Sequence, residues 1–586
     1  MTKTLIPETG GNPFSDIQAR SYSDKRVVEE FCPIPQFWDL FNGQHEVILG
    51  TRGCGKTILL KMMRYSMLKK MTHPAAARLV KEKEYIAFYV PLHLEFIKKL
   101  ETYDITEKEK VLWFRFAFNC ALAQSIIIEL NELINDLSGS LEERYNKEYV
   151  ITEKIQALWN IAPEKKIHQL TELRYQVVQL FYSSNPGGTE SQSVPQPFIH
   201  SFASSLSSIN EYLRDELKIS PTWLICVDEA EFLDECYQKC INTAFRSDTE
   251  RIIIKLATLP FYHRTKCTLD DNISVMNGQD FKYTIIDMKP DSPEFAEVTD
   301  SIVKTRFSRE SIQINSLSDF VETIGSDCYL DYYRREFGED GATPERIQSA
   351  IIDQLPSKRK HSTFGKNNSE LKKPIFNKYA PIFYLREVKK RKKGRHIPGW
   401  YAGTTMIRRL SQGNPRIFIR IMDVLYTESK GKSLPLKIAT QHKVLMNFAD
   451  SFCEETKTLE GDGPRAKEVL DYIANYIQNR THGQTLALTG QTFQLSLRTN
   501  LMDESSWIKK AVAFSRLRVD ANSMMTELTL SSIYDLSNLY SAKYWIPLRG
   551  NDPIRIKIDS SVKDDCGRSE KGNYEQLKFN LDGDDT

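Results

Sequence analysis

Short apolar runs, each followed by a polar or glycine-rich stretch, recur through the first half of the chain. Five of them have the length of buried strands and predict β-structure: Val47–Leu49, Tyr85–Val90, Trp223–Val227, Ile252–Ala257 and Tyr283–Met288. The third is wholly apolar and the fourth is interrupted only by Lys255, which is typical of central strands in a parallel sheet covered on both faces. Strands that alternate with helices predict an α/β fold.

Helical periodicity accounts for most of the remaining sequence. Thr57–Lys70 places apolar side chains at helical spacing after the glycine-rich turn that follows the first strand. Residues from about 105 to 180 are helical in period, which predicts a helical layer inserted beside the sheet. Ser183–Pro197, rich in Ser, Gly, Pro and Gln, predicts a flexible loop. Beyond about residue 300 the pattern is mainly helical.

Composition narrows the class of protein. The 586 residues are 41% hydrophobic and 27% charged, as in an ordinary soluble protein. The formal net charge of +2 provides no global attraction to nucleic acid or to an anionic membrane, so any such binding must be local. Ten cysteines without a C-x-x-C pair favour reduced thiols over disulfides or a zinc site. The apolar stretch Trp113–Leu130 is interrupted by polar residues, so we expect a soluble, cytoplasmic protein without a membrane span.

The strongest chemical signal is Gly50-Thr-Arg-Gly-Cys-Gly-Lys-Thr57, a complete P-loop pattern. Its glycines let the backbone curl so that N–H groups face phosphate oxygens, and a helix N-terminus adds its dipole. Lys56 is predicted to reach the β- and γ-phosphates, and the Thr57 hydroxyl to bind Mg²⁺. A chance match is disfavoured by the strand before it and the amphipathic helix after it. The predicted nucleotide-binding residues are Gly50, Thr51, Arg52, Gly53, Cys54, Gly55, Lys56, Thr57 and Ile58.

An acid pair supports the P-loop. The strand Trp223–Val227 runs directly into Asp228 and Glu229. A P-loop site needs an acid at a strand end to hold hydrated Mg²⁺, which predicts a metal role for Asp228. It also needs a group that orients or deprotonates the attacking water, which predicts a catalytic role for Glu229. The alternative is a strand that ends in solvated acids.

Two further polar residues stand where a nucleotide site would use them. Thr258 follows the apolar run Ile252–Ala257, although threonine at a strand end is common. Gly413-Asn-Pro-Arg416 opens the apolar helix Ile417–Leu425, although an arginine at a helix start is often only a surface residue.

Together these motifs, with Asn12-Pro-Phe and Val227-Asp-Glu-Ala-Glu231, resemble bacterial AAA+ ATPases related to the origin-recognition clade. The similarity covers roughly residues 10–455. It implies ATP and Mg²⁺ as ligands, Thr258 as sensor 1, and Arg416 as sensor 2 reaching the γ-phosphate. In that clade a winged helix follows the lid. Many bacterial relatives occur in mobile elements and phage-defence loci, and the resemblance implies the same context.

The domain division follows from these patterns. We predict a nucleotide-binding core over 1–300 with a helical insertion at about 100–200, and a basic insert with a helical lid over 301–455. A winged-helix-like α+β domain is predicted over 456–558 and a flexible tail over 559–586. Within the third part we predict the helices Ala466–Gln478 and Ser506–Arg516 and a strand region ending at Tyr544–Arg549.

A basic run is the best nucleic-acid candidate. Arg386–His396 carries seven Lys and Arg against one Glu, enough to neutralise several backbone phosphates. A solvated charged loop explains it equally well. If the ATPase forms rings it also needs an arginine finger, for which Arg306 and Arg309 are candidates.

Three functions remain open on the sequence alone. The first is an ATP-dependent, homo-oligomeric AAA+ switch whose nucleotide state is read by a protein effector or DNA. The second is a DNA-binding initiator or loader that uses Arg386–His396 and the C-terminal domain. The third is a defence scaffold that senses a phage product and regulates a separate effector.

Overall fold

We describe a computed structural model of the chain. The described residues are 6, 11–17, 22–184, 186, 194–196, 198–200, 202–247, 251–324, 329–356, 373–391, 399–497, 501–525, 532–548 and 553–558. Most of the predicted loop Ser183–Pro197, residues 357–372 of the insert, residues 392–396 of the basic run and the whole predicted tail lie outside them.

A parallel five-stranded sheet forms the centre of the first half of the chain, which confirms the α/β prediction. Its strands are β1 Glu46–Leu49, β2 Tyr85–Val90, β3 Thr222–Val227, β4 Ile252–Thr258 and β5 Lys282–Ile285. The order is β2–β3–β4–β1–β5, so β4 lies between the strand that leads into the P-loop and the strand that leads into the acid pair. Leu49 of β1 pairs with Thr258 of β4, which brings both strand ends to one edge of the sheet.

Both faces of this sheet are buried. Alternate residues of β3, such as Leu224 and Ile225, belong to two different apolar cores on opposite sides. Lys255, the polar interruption in β4, is fully buried and donates to Glu46 Oε1 at 2.8 Å and to Asn42 Oδ1 at 3.0 Å. Because this ammonium is paired and hydrogen-bonded, its burial is tolerated within an otherwise apolar strand.

The helix predicted over Thr57–Lys70 is broken into two, so that prediction was wrong in its extent. The structure has Lys56–Met62 and Tyr65–Leu68. Between them Arg64 is extended, with ψ of 142°, and forms a bridge to Ala87 of the edge strand β2. Pairing with a sheet edge competes with helix formation here, and local periodicity does not report such a pairing. The other helices of the core are Asp24–Glu30, Pro35–Asp39, Pro74–Glu82, Leu94–Leu100 and Glu235–Phe245.

Among the residues that the structure describes, four helices form the insertion, at Glu107–Asp136, Leu141–Trp159, Leu170–Ser183 and Phe202–Leu217. The first is long and apolar enough to cross a membrane, yet 72% of its most apolar window is buried inside the fold. Trp113, Phe114 and Phe116 are among its buried side chains. It packs against β2 and its neighbours as a core helix.

Helices of the lid region follow the sheet. They are Pro293–Arg309, Leu317–Phe320, Tyr329–Gly341, Pro344–Gln354, Lys373–Lys390, Thr404–Ser411, Pro415–Ser429 and Ile438–Glu454. The N-terminal segment, residues 11–17, packs against these helices. Asn12 Nδ2 donates to Asp423 Oδ1 at 2.7 Å, and the centre of the Phe14 ring lies 5.3 Å from that of the Phe307 ring. We call Pro415–Ser429 the lid helix.

The C-terminal unit, residues 463–558, has a sheet of its own. Its strands are β6 Thr492–Leu497, β7 Leu517–Val519, β8 Ile533–Leu536 and β9 Ile554–Ile558, in the order β7–β8–β6–β9. Its helices are Gly463–Thr481, Leu501–Ala513, Ala521–Met525 and Asn538–Lys543. The predicted strand region ending at Tyr544–Arg549 was wrong only at its end: β7 and β8 lie within it, but Tyr544–Leu548 follows a helix without strand pairing. The winged-helix assignment and the domain boundaries stay predictions.

Candidate functional site

A cavity of about 470 Å³ lies at the edge of the main sheet where β1 and β3 end. P-loop residues Arg52–Ile58 line one side, and Asp228 and Glu229 line another. The start of the lid helix and the N-terminal segment close the remaining sides. Gly50 and Thr51 form the base of the loop. The structure therefore brings most of the residues predicted from separate motifs to one cavity.

The P-loop requires glycine at two positions. Gly53 and Gly55 have φ of +96° and +109°, in the region that side chains with a Cβ avoid. A Cβ on Gly53 would lie 2.5 Å from Cβ of Arg416. The absence of a side chain at Gly53 thus allows the lid helix to approach the loop, and the Arg416 N–H donates to the Gly53 oxygen at 3.3 Å.

Lys56 is buried in the loop. Its Nζ donates to the main-chain oxygens of Gly50 at 2.6 Å and Thr51 at 3.3 Å. These contacts hold the ammonium over the loop, within the cavity that the loop's N–H groups border. A phosphate that enters would meet a positive charge and a helix N-terminus together.

Asp287 is a site residue that we did not identify from the sequence. It follows β5 and accepts hydrogen bonds from Thr51 N at 3.0 Å and Thr51 Oγ1 at 3.0 Å. Burial raises the pKa of this carboxyl, and the Thr51 hydrogen bonds and the Lys56 charge oppose the rise. The only sequence signal was an acid within the apolar run Tyr283–Met288. Through its hydrogen bonds from Thr51, Asp287 fixes the first turn of the P-loop against the sheet.

The acid strand ends in a sharp turn. Asp228 is 3% exposed and accepts from the Tyr89 hydroxyl at 3.0 Å and from the Glu229 N–H at 3.0 Å. Glu229 has φ of +59°, which turns the chain immediately after Asp228 and leaves Glu229 on the cavity wall. Tyr89, on the neighbouring strand β2, therefore orients the carboxylate that was predicted to hold the metal.

Glu231, two residues further on, is a third acid at this wall. Its Oε2 atom is buried without a hydrogen-bond partner among the described residues, and burial raises its pKa while Lys56 lowers it. The sequence showed it in Asp-Glu-Ala-Glu, but nothing in the pattern separated it from a solvated glutamate.

Thr258 lies at the end of β4, opposite Leu49. It is 1% exposed, and its hydroxyl has no hydrogen-bond partner within the described ranges. The next residue, Leu259, lines the cavity, whereas Thr258 lies just behind that wall. The predicted sensor 1 residue is thus beside the site, and its role stays a prediction.

The lid turn, Gly413–Arg416, rests on the P-loop. Gly413 has φ of +76°, and a Cβ there would lie 1.8 Å from the Met288 oxygen. Asn414 caps the lid helix by accepting from Arg416 N at 3.0 Å and Ile417 N at 3.3 Å. The same side chain donates to the Arg52 oxygen at 3.0 Å. Burial, and then the nearby Arg52 charge, lower the pKa of Arg416.

An apolar wall completes the cavity. It is formed by Ile17, Phe31, Ile34, Val298, Ile302 and Ile419. Glu30 at its rim is held by Arg26 at 2.9 Å and Arg306 at 2.9 Å. An apolar slot beside a phosphate-binding loop suits the base of a nucleotide.

A family model described as ORC-CDC6-like matches residues 12–556. The chain belongs to the ORC-CDC6-like family. No curated protein and no solved structure matches it. Membership confirms the resemblance inferred from the motifs and identifies the chain as an AAA+ ATPase.

Neither arginine-finger candidate of this ORC-CDC6-like chain extends freely from its surface. Arg306 is fully buried and donates to Tyr22 Oη at 2.7 Å and to Glu30 Oε2 at 2.9 Å. Arg309 pairs with the same Glu30 and with Glu29. Arg306 therefore anchors the N-terminal segment of its own chain, which is incompatible with reaching a neighbouring subunit.

The basic run is divided between fold and surface. Arg386 is 4% exposed and donates to the oxygens of Gly483 and Thr485 at 2.6 and 2.9 Å. These bonds hold the helix Lys373–Lys390 to the C-terminal unit, so the Arg386 side chain is not exposed, and nucleic-acid binding by the rest of the run stays a prediction. Arg391 and Lys390 are both exposed, Arg391 with its guanidinium carbon 4.0 Å over the Phe337 ring and Lys390 beside Glu387.

Proposed function

We propose that this chain binds Mg–ATP in the cavity and hydrolyses it as the energy source of a molecular switch. The observation that carries the proposal is the convergence of the P-loop, the acid pair and the lid turn on one cavity. These elements lie far apart in sequence, and the fold joins them through the order β3–β4–β1 and the Asn414 hydrogen bonds.

In the proposed complex the phosphates lie against the P-loop. The loop's N–H groups, the Lys56 ammonium and the start of the helix Lys56–Met62 supply positive charge. The base lies on the apolar wall. Charge-assisted contacts of this kind are roughly twice as strong as neutral hydrogen bonds, so Lys56 is expected to dominate affinity.

Mg²⁺ fits the residues that are present. Thr57 and Asp228 both line the cavity, and Asp228 is already oriented by Tyr89. Among the described residues no group of three or more His, Cys, Asp or Glu could hold a metal by itself. Mg²⁺ at a nucleotide takes one or two protein ligands, here Thr57 and Asp228, and completes its shell with phosphates and water.

For hydrolysis we propose that Glu229 accepts a proton from the attacking water. It lines the cavity next to the metal-binding acid, and its turn places it beyond the strand end. Arg416, also on the wall, is proposed to stabilise charge on the γ-phosphate. Thr258, at the end of β4, is proposed to act as the polar residue between the attacking water and the γ-phosphate.

As a switch, the protein needs an element that responds to the γ-phosphate. The lid turn is suited to this because Arg416 lines the cavity while its N–H binds Gly53. We propose that the chain acts as a homo-oligomer and that its nucleotide state is read by an effector protein, in keeping with the phage-defence context that the motif resemblance implied.

A DNA-loading function is the second candidate. It is favoured by the basic surface where the helix Lys373–Lys390 meets the C-terminal unit. Burial, and then the positive charges of Lys389 and Arg386, together lower the pKa of His482 there to about 4. Lys390, which is exposed at this corner, would meet a phosphate backbone.

The test of the ATPase proposal is turnover by purified full-length protein. We expect ATP hydrolysis that requires Mg²⁺ and stops when the ion is chelated with EDTA. Equilibrium titration with a fluorescent ATP analogue measures binding separately. Absence of both binding and turnover, with and without added DNA, would refute the proposal.

A further inference from the structure

A segment of the C-terminal unit lies directly on the P-loop. This docking segment, Ala513–Arg516, ends the helix Leu501–Ala513. The Arg52 N–H of the P-loop donates to the Ala513 oxygen at 2.8 Å, and the Arg52 guanidinium carbon lies 5.2 Å from the centre of the Phe514 ring. The nucleotide-binding loop therefore has one face on the cavity and the other on a separate part of the chain.

The lid turn contacts the same segment. Gln412 Nε2 donates to the Ser515 oxygen at 3.3 Å, and Asn414 Nδ2 approaches Ser515 Oγ at 3.4 Å. Since Asn414 also binds the Arg52 oxygen, one amide group lies at the meeting point of the P-loop, the lid and the C-terminal unit. A shift of any one of the three would change the hydrogen bonds of the other two.

A second connection runs through Glu455. Its carboxylate accepts from Arg420, which lines the cavity one turn beyond Arg416 on the lid helix. The same carboxylate lies 3.9 Å from Arg516 of the docking segment. Arg516 is 5% exposed and lies 3.4 Å over the Phe452 ring, so its position is fixed by packing as well as by charge.

The electrostatic interaction between Arg52 and Arg416 at this junction depends on what the cavity holds. Arg52 and Arg416 both line it, and their repulsion contributes to the lowered pKa of Arg416. A polyphosphate between them would replace repulsion with attraction to a common anion. It would thereby hold the lid turn and the P-loop together, and these are the two surfaces on which the docking segment rests.

We propose that the C-terminal unit senses nucleotide occupancy through this interface, and that bound ATP tightens its docking on the P-loop. The inference rests on the proposed function, since it requires ATP in the cavity. By thermodynamic linkage the effect is reciprocal: docking strengthens ATP binding by the factor by which ATP strengthens docking. Couplings of this kind typically change affinity by about 5- to 150-fold.

Hydrogen exchange of the wild-type, full-length protein tests the proposal without a variant. The informative amides are those of Phe514, Ser515 and Arg516, because they lie in the docking segment and outside the cavity lining. With saturating Mg–ATP we expect their exchange to slow about fivefold or more. If the titration shows that ATP is bound while their exchange is unchanged or faster, the proposal is overturned. If ATP does not bind at all, the proposed function fails instead.

The substitution Phe514→Ala tests the reciprocal effect. It removes the ring under Arg52 without altering a residue that lines the cavity. We expect ATP to bind about fivefold more weakly, at the low end of typical couplings, with the ATP-dependent protection lost. Tyr476→Ala, at an exposed position on the helix Gly463–Thr481, is the matched control and should leave affinity unchanged. Circular dichroism and thermal unfolding establish that both variants fold. A folded Phe514→Ala protein with wild-type affinity would overturn the proposal.

Discussion

The side-chain amide of Asn414 donates to the main-chain oxygen of Arg52 at 3.0 Å, which joins the lid turn to the P-loop across 362 positions of sequence. The oxygen of the same amide caps the lid helix. One residue therefore both starts the helix that carries Arg416 and fixes that helix relative to the nucleotide site.

The first prediction concerns this link. Asn414→Ala removes a helix cap, which typically costs about 1 kcal/mol of stability, and also releases the lid from the P-loop. We expect a lower melting temperature and a clearly weaker affinity for ATP. Ser140→Ala removes a cap of the same kind from the insertion helix Leu141–Trp159. It should lower stability comparably but leave ATP affinity unaltered, and equal loss of affinity in both variants would argue against the link.

The second prediction concerns pH. His263 is half-buried between Tyr283 Oη at 2.9 Å and Asn242 Oδ1 at 3.0 Å, and its partial burial lowers its pKa to about 4. The unfolded chain, with a histidine pKa near 6.5, then binds the proton more readily between pH 6.5 and 4. Stability from the neutral imidazole is present above that window and is lost as the pH falls through it, by up to about 3 kcal/mol.

Urea unfolding of the wild type and His263→Gln at several pH values measures this effect. The slope of unfolding free energy against pH near pH 5 should be smaller in the variant. The decrease should correspond to about one proton fewer taken up on unfolding. Identical slopes would show that His263 titrates alike in the folded and unfolded chains.

Much of this architecture was predictable, for identifiable reasons. The strand Tyr85–Val90 and the P-loop are defined by local pattern, since an apolar run and a glycine spacing each contain their own information. The break at Arg64 and the role of Asp287 depend on what lies opposite in space, on Ala87 and Thr51. Likewise, a run of positive charge could not distinguish Arg386, buried against main-chain oxygens, from exposed Lys390. Charge counts describe composition, whereas binding depends on exposure.

The third prediction concerns the remaining basic residues. Replacing Lys389, Lys390, Arg391, Lys392 and Lys393 by Ser should weaken binding to all duplex sequences alike if they bind the phosphate backbone. The slope of log affinity against log salt should fall by about 0.9 for each phosphate that the variant no longer neutralises. ATP hydrolysis without DNA should be unaffected.

A variant with the same loss of charge elsewhere controls for net charge. Its five Ser substitutions replace exposed lysines distant in sequence: Lys25, Lys98, Lys99, Lys166 and Lys437. If both variants lose the same salt dependence, or if the wild type binds no nucleic acid, the basic run is solvated surface and the loading function loses its main support.

The fourth prediction concerns nucleotide affinity. Lys56→Ala removes the ammonium held over the P-loop by Gly50 and Thr51. Charge-assisted contacts are worth about 1.5–3 kcal/mol, so affinity for ATP should fall roughly 10- to 150-fold. Lys70→Ala, at an exposed position shortly after the same helix, should bind as the wild type does. A folded Lys56→Ala protein with unchanged affinity would invalidate the P-loop assignment.

The most direct test of the account is to measure both ATP affinity and ATP turnover in the variant Glu229→Gln. The change keeps the shape of the side chain and leaves Asp228, with its Tyr89 hydrogen bond, to hold the metal. Glu235→Gln, exposed at the start of the next helix, is the control. If Glu229 activates the attacking water, its variant binds Mg–ATP with wild-type affinity while turnover falls by about 100-fold or more, and the control keeps full activity. Wild-type turnover in Glu229→Gln would contradict the central claim that this residue at the edge of the cavity drives hydrolysis.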